Sequence, residues 1–514
     1  MTTMPQAAPL EHQVTAELGV LRVLFERLHA EGIRYCHWKS NEHLDASLVG
    51  KTDVDVLVDR RAIVPLTRLL GLSNFKRFVV KPGRGYPGIE DYVGFDPETG
   101  ALTHLHVHYQ LTLGEKFLKG HRLPWEPLYL STRVMDEQRG IYVADPHLEL
   151  VVLVLRAAIK LRARDFLIQA AGIPYFRGGL LREFRWLAKR VRPEGVAALA
   201  NRLIGARAGA LFPAMIAAGS PSLRDLVALR RTEPRLQEYR LYGEWEKVRH
   251  AWGRELGIIR WKLKNWYLRA PTKSTRTLPQ GGLTVAVVGA DGAGKSTLVA
   301  ELAEWLSHEI AVVCTYGGSG KGSAGLVRGV LHWGAGLRRR LFGYPSASAR
   351  RKPHPPETGP QPIGASVSFG RAIWVRALAR ERRLRALESR RARSRGMIVL
   401  SDRLPQTQFP GWNDGPRLDG STDHPWWYRA AARQEREAFH LAELIPPDLV
   451  LKLHVSPEVA TRRKPETPAP QILTGVDMVR RLSFPAETRV VDIDGSLPFD
   501  QVLLQAKRAV WDAI

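Results

Sequence analysis

The sequence predicts an α/β protein. Its C-terminal half reads as a parallel sheet with helices on both faces, preceded by an α+β domain and a helical connector. Three observations carry this. The apolar, strand-length Leu283-Thr-Val-Ala-Val-Val288 runs through Gly289-Ala-Asp-Gly-Ala-Gly-Lys-Ser-Thr297 into the helically spaced Leu298-Val-Ala-Glu-Leu-Ala-Glu-Trp-Leu306. Two further buried-type strands follow it, ending at Asp402-Arg403 and at His454-Val455. Upstream, residues 15–164 alternate helical and strand patterns, whereas 165–270 read as helix with no strand signal.

Taken in order, Leu18, Leu21, Phe25 and Leu28 form a helical stripe. Cys36-His-Trp-Lys39-Ser40-Asn41 reads as a short strand ending in a turn. Thr52-Asp53-Val-Asp55-Val-Leu-Val58 is a strand that sets Asp53 and Asp55 at i and i+2, on one side. Carboxylates so paired suit one or two Mg2+ ions in phosphoryl or nucleotidyl transfer. Leu105-His-Val-His-Tyr109 alternates with period two and adds His106 and His108 beside His104. The apolar run 148–159 is broken by Glu149 and Arg156 and is too short to span a bilayer. Residues 271–282 (PTKSTRTLPQGG) read as a linker. The segment 324–395 is a basic insert whose role stays open, with 371–395 helical within it.

The chain has 514 residues, with 44% hydrophobic and 25% charged residues, as in globular proteins, but its formal net charge is +25. That excess points to anionic partners (nucleotides, nucleic acid or a membrane surface) or to an arginine-rich, solvated surface. Two cysteines, Cys36 and Cys314, lie far apart, so neither a disulfide framework nor a cysteine zinc site is expected. The first residues lack the basic-then-apolar pattern of a signal peptide, and a cytoplasmic location is the expectation.

The glycine-rich loop is the strongest chemical signal. In a strand–loop–helix, backbone N–H groups curl around a polyphosphate and the helix N-terminus adds partial positive charge. Gly289, Asp291, Gly292, Ala293, Gly294, Lys295, Ser296 and Thr297 are the expected nucleotide-binding residues, with Lys295 bridging phosphates and Ser296 ligating Mg2+. Asp402 and Arg403 end a strand where a parallel sheet opens its crevice; Asp402 suits the metal, and Arg403 a bidentate clamp on an acceptor phosphate. Arg462 and Arg463, followed by Lys464, begin a basic segment able to close over the transferring phosphoryl group.

The loop GADGAGKST, the strand ending SDR, PDLVLKLHVSPEVATRR and the terminal VVDIDGSLPFDQVLLQAKRAVWDAI together resemble thymidylate kinase, over about the last 230 residues. The resemblance implies a nucleoside-monophosphate-kinase-like domain over 281–514 that uses ATP and Mg2+. It implies that Asp291 contacts the acceptor's sugar, Arg403 binds the acceptor phosphate, and Arg462 and Arg463 act as lid arginines. Leu404-Pro-Gln-Thr-Gln-Phe-Pro-Gly-Trp-Asn-Asp-Gly-Pro-Arg417 departs from that family's base-pocket segment, so a thymine pocket is not expected. Residues 1–165 resemble the nucleotidyltransferase superfamily through the strand, turn and Asp-x-Asp strand. Lys39-Ser40-Asn41 stands where that family has glycine, and His106 stands where it has a third carboxylate.

The domains expected are therefore 1–165, nucleotidyltransferase-like; 166–280, helical connector and linker; and 281–514, the kinase. The expected activity is ATP-dependent, Mg2+-assisted phosphoryl transfer to a nucleoside monophosphate or a similar phosphorylated small molecule. Two alternatives stand beside it: nucleotidyl transfer at Asp53 and Asp55 with the P-loop half regulatory, or a non-enzymatic, nucleotide-gated polyanion-binding protein. Whether the chain forms a homodimer is left open.

Overall fold

The computed structural model describes residues 17–80, 85–115, 118–231, 234–268, 276–316, 369–412, 414–418 and 423–514. Residues 317–368, which include most of the basic insert, thus lie outside the described residues, as do 269–275, which include the start of the linker. The chain divides into two compact units, Met1–Tyr267 and Leu268–Ile514.

The first unit begins with α1 (Gly19–Ala30), β1 (Tyr35–His37), α2 (Leu44–Leu48), β2 (Val54–Val58) and α3 (Ile63–Leu72). Strands β3 (Phe75–Phe78), β4 (Ile89–Phe95) and β5 (Leu102–His108) follow, then the hairpin β6 (Leu111–Glu115) and β7 (Leu118–Leu123). After α4 (Glu126–Thr132) come β8 (Val134–Asp136), β9 (Ile141–Val143) and α5 (Pro146–Lys160). The described strands build a mixed sheet in the order β3-β4-β5-β2-β1-β9-β8. Strand β2 lies parallel to β5, and β4 antiparallel to β5.

Every residue of β2 is buried, because both sheet faces are covered. Val54, Val56 and Val58 pack with α1 and α3 through Leu21, Leu24, Phe25, Leu66 and Leu69. Leu57, and with it Asp53 and Asp55 by the period of two, faces the opposite side, where α5 forms the core. The apolar run noted in the sequence is α5 itself, a core helix buried nearly all round. Pro146 opens it, and the Asp145 carboxylate caps it by accepting from the backbone N–H groups of His147 and Leu148. Helix α6 (Ala163–Ala170) follows; α7 (Gly179–Ala188), α8 (Pro193–Leu203) and α10 (Leu223–Arg231) pack on α5, with α9 (Ala206–Ala217) against α8 and α10. Their buried Phe184, Leu187, Val196, Phe212, Leu226 and Leu229 join the α5 core. Two more helices, α11 (Pro234–Glu238) and α12 (Glu244–Leu268), complete this helical stretch.

The second unit holds β10 (Thr284–Gly289), α13 (Lys295–Ser307), β11 (Val312–Tyr316), α14 (Phe369–Ser394) and β12 (Ile398–Asp402). It continues with α15 (Trp426–Glu443), β13 (Leu449–His454), α16 (Pro457–Arg463), α17 (Ala469–Arg481), β14 (Arg489–Asp494) and α18 (Phe499–Ala513). The described strands form a wholly parallel sheet, ordered β11-β12-β10-β13-β14, with helices on both faces. Strand β10 lies between β12 and β13, so the chain's crossovers leave it in both directions. The carboxyl end of β10 is therefore the switch point where open α/β sheets form a crevice. Part of the linker packs into this unit: Leu278 is buried, its N–H donates to the Gly396 carbonyl, and Arg276 pairs with Glu309 at 2.5 Å. No helix among the described residues is long and apolar enough to cross a membrane.

Candidate functional sites

The glycine-rich loop joins β10 to α13 at the sheet's switch point. Gly292 and Gly294 have φ of 82° and 90°, which L side chains rarely adopt. A Cβ on Gly292 would stand 2.7 Å from the carbonyl oxygen of Ala460 in α16, so only glycine lets the loop and that helix approach. No side chain caps the N-terminus of α13, which leaves its amides directed at the loop. Lys295 folds over this loop, its Nζ donating to the carbonyl oxygens of Gly289 at 2.9 Å and Ala290 at 2.8 Å. Burial, reinforced by the Arg403 charge, lowers the Lys295 pKa to about 8.

Asp291 gathers the surrounding cations. It lies 3.8 Å from Lys295, 3.4 Å from Arg403 and 3.4 Å from Lys464. Burial opposes its ionisation, but these three charges outweigh burial and hold its pKa below the usual value. Arg403 also lies 3.4 Å from Asp414. The Arg403 backbone is left-handed at φ 75°, with its carbonyl accepting from the Ser401 hydroxyl at 2.8 Å, and this bend turns the guanidinium into the crevice. Val288, Gly289, Asp291, Lys295, Arg403, Leu404, Asp414, Val479 and Leu482 enclose a cavity of about 340 Å³, part of it open to solvent.

The Ser296 hydroxyl donates to Asp402 Oδ2 at 2.7 Å, while Asp402 Oδ1 is buried and has no hydrogen-bond partner among the described residues. A hydroxyl beside an unsatisfied carboxylate oxygen is a donor set that fits Mg2+. Thr297 is exposed on the next position of α13, and Ala293 is buried under the loop. Of the basic segment, Arg463 Nη1 donates to the Gly495 carbonyl at 2.8 Å and Arg462 is exposed at the end of α16. Lys464, the third residue of that segment, is the one in contact with Asp291.

Beside this crevice, sharing Leu404 with it, lies a second cavity of about 680 Å³, also partly open to solvent. Helix α14 turns Arg382, Arg385, Ala386 and Ser389 toward it, and the sheet adds Thr284, Thr315 and Ser401. Arg382 is 5% exposed and stacks over the Phe439 ring at 4.7 Å. Among the described residues, none of its three guanidinium nitrogens finds a hydrogen-bond partner. Burial lowers its pKa, partly countered by Asp414 and Glu435. Sequence reading missed Arg382 because one arginine in a helix crowded with them carries no distinguishing signal.

In the first unit the sheet brings a second cluster together. Register sets Asp55 beside His106, and His106 beside Asp91 of β4. His104 lies 2.8 Å from Asp53 and 2.9 Å from Asp91; His106 lies 3.4 Å from Asp55 and 3.1 Å from Asp91. His108 and Lys39 both reach Asp55, at 3.1 and 2.8 Å. Burial opposes protonation of His106, but its bonds to Asp55 and Asp91 prevail and raise its pKa to about 9. His108, fully enclosed and next to Lys39, is lowered to about 4. A third carboxylate is thus present, supplied by Asp91 alongside His106 rather than from the His106 strand.

The turn before β2 is held from the helical side. Ser40 takes the left-handed backbone, φ 59°, where a glycine was the family expectation. Its N–H donates to Glu183 at 3.2 Å, and the Asn41 N–H and side-chain amide donate to the two oxygens of Glu149 at 3.0 and 2.7 Å. Burial raises the Glu149 pKa to about 7. Carboxylates from α5 and α7 therefore occupy the turn amides.

No family model matches the chain. It is similar to two Escherichia coli K12 proteins named as uncharacterized ATP-binding proteins. YghR is 28% identical over 248 residues, which is 47% of this chain and 94% of YghR. YghS is 27% identical over 232 residues, 45% of this chain and 93% of YghS.

Proposed function

We propose that the second unit binds ATP with Mg2+ and transfers the terminal phosphoryl group to a phosphorylated small molecule, a nucleoside monophosphate or one of similar shape. One observation carries the reading: Lys295, Asp291, Arg403, Lys464 and the Ser296–Asp402 pair converge at the carboxyl ends of β10 and β12. The likeness to proteins named as ATP-binding supports the donor.

In this reading the triphosphate takes over the Lys295 ammonium now held by loop carbonyls, and α13 amides surround it. Mg2+ held by Ser296 and Asp402 supplies charge neutralisation to the phosphates. Arg403 clamps the acceptor phosphate through its planar fork, oriented by Asp291 and Asp414. An acceptor phosphate oxygen forms the new P–O bond; the bond from the γ-phosphorus to the β–γ bridging oxygen breaks, and ADP leaves. Lys464, with Arg462 beside it on α16, neutralises charge spread over the transferring group. The unpaired Arg382 receives the far, polar end of the acceptor in the adjoining cavity.

The test is a screen of nucleoside monophosphates and sugar phosphates with γ-labelled ATP, identifying both products. ADP and a labelled, newly diphosphorylated acceptor are expected. Pyrophosphate in place of ADP would move the chemistry to nucleotidyl transfer. Tight ATP binding with no turnover on any acceptor would favour a nucleotide-gated binding protein.

A further inference from the structure

We propose that Asp53, His104 and His106 bind a divalent transition-metal ion, with the ligand preference of Zn2+ or Co2+ rather than of Mg2+. Their ligand atoms all lie within 4.8 Å of one another. The orientation of the rings carries the proposal. The Nδ1 atom of His104 lies 2.8 Å from Asp53 Oδ1, and that of His106 lies 3.8 Å from Asp53 Oδ2 and 3.4 Å from Asp55 Oδ1. Their Nε2 atoms both turn to a single oxygen, Asp91 Oδ1, at 2.9 and 3.1 Å. A carboxylate that takes the distal N–H of two imidazoles fixes both rings with their Nδ1 atoms on the Asp53 side, where a metal ion can displace the protons these nitrogens carry toward the carboxylates. That is the arrangement found behind metal-bound histidines.

The donor set selects the metal. Mg2+ prefers oxygen ligands in a near-octahedral shell, whereas imidazole suits Zn2+, Co2+ and Ni2+. Two imidazoles and one carboxylate make a three-ligand site with a position left open. Asp53 is 48% exposed on its side chain, so an ion can enter from solvent. Among the described residues Asp53 pairs with these two histidines and with no lysine or arginine. The neighbouring trio Asp55, His106 and His108 is a poorer candidate, because Lys39 already neutralises Asp55 at 2.8 Å. The site thus differs in metal class from the carboxylate-held Mg2+ that the Asp-x-Asp strand alone suggests.

The experiment uses the full-length protein, stripped with a chelator and titrated with Co2+ while visible absorption is recorded. A single equivalent should give d–d bands, Zn2+ should abolish them, and millimolar Mg2+ should leave them intact. His106→Gln should lose the bands. Asp53→Asn, a change at a half-exposed residue, should weaken Co2+ binding while the far-UV circular dichroism is unchanged, which keeps the test decisive if the histidine variant misfolds. Asp91→Asn should weaken binding by roughly 10–100-fold. Asp55→Asn should keep the bands. Absence of d–d bands in the wild type, bands that survive in a folded His106→Gln protein, or displacement of Co2+ by millimolar Mg2+ would each overturn the proposal and leave a closed hydrogen-bond network.

Discussion

Lys295 sits buried with its ammonium bonded to loop carbonyls, so its charge is preorganised before any phosphate arrives. Lys295→Ala should abolish ATP turnover, a loss of about 3–4 kcal/mol of transition-state stabilisation, with the fold retained. Steady-state ADP release together with circular dichroism checks this. Arg403 stands one residue past Asp402 and is aimed by two carboxylates. Arg403→Lys keeps the charge and loses the planar fork, so acceptor KM should rise much more than ATP KM. Equal rises would move Arg403 to the donor side. Glu149 offers a test by pH. Its folded-state pKa of about 7 lies above the ordinary 4.5, so the folded protein binds the extra proton between those values. Its contribution to stability is then present below pH 4.5 and is lost as pH rises through about 7. Glu149→Gln titrates at no pH, and the difference in Tm between wild type and variant should shift in the variant's favour across that window. A difference that stays constant from pH 4 to 8, read by thermal melts in roughly these conditions, would refute the assignment.

At the scale of elements, α14 is unusual because the side it turns toward the sheet carries Arg382 and Arg385 next to a cavity, where a covering helix ordinarily presents apolar residues. A buried guanidinium without hydrogen bonds costs stability. Arg382→Met should therefore leave the free protein as stable as the wild type or more so, while acceptor KM rises. Melting temperature and kinetics on one variant separate the two roles: a structural arginine would lower Tm and leave KM alone. The loop between β10 and α13 and the helix α16 form a second closely packed pair. Gly292 permits their contact, and Lys464, just past α16, reaches Asp291 across it.

At the scale of the whole molecule, each unit has its own sheet and its own core. The residues of the Asp53–His106 cluster and of the glycine-rich loop come from separate units, so the two proposed roles are separable by substitution. The double change Asp53→Asn/Asp55→Asn should leave ADP production by the intact protein nearly untouched, since Ser296 and Asp402 supply the kinase metal ligands in our reading. A large fall in turnover in the folded double variant would show that the N-terminal cluster takes part in the phosphoryl-transfer reaction. The net charge of +25 follows no single site. Among the described residues, Lys295, Arg403 and Lys464 gather around Asp291, and Arg382 and Arg385 line the adjoining cavity.

The α/β pattern, the P-loop and the Asp402-Arg403 strand end were legible in the sequence because each is local. Glycines that need positive φ, a strand of β-branched residues and a helix stripe are all written within about ten residues, where propensity and pattern act directly. The Asp53–Asp55 pair was legible for the same reason, since a strand's period of two sets both on one face. Tertiary structure alone decided the rest. Asp91 reaches His104 and His106 through the antiparallel register of β4 on β5, and no spacing within either strand announces it. Glu149 and Glu183 hold the Ser40–Asn41 turn from helices more than a hundred residues away, so α5, an apolar run in sequence, carries a polar anchor. Arg382 is set apart from its many neighbours only by which side of α14 meets the cavity, and Lys464 from Arg462 and Arg463 only by the end of α16. Backbone conformation is dictated by near neighbours, whereas side chains of distant segments meet only where burial of two cores forces their elements together.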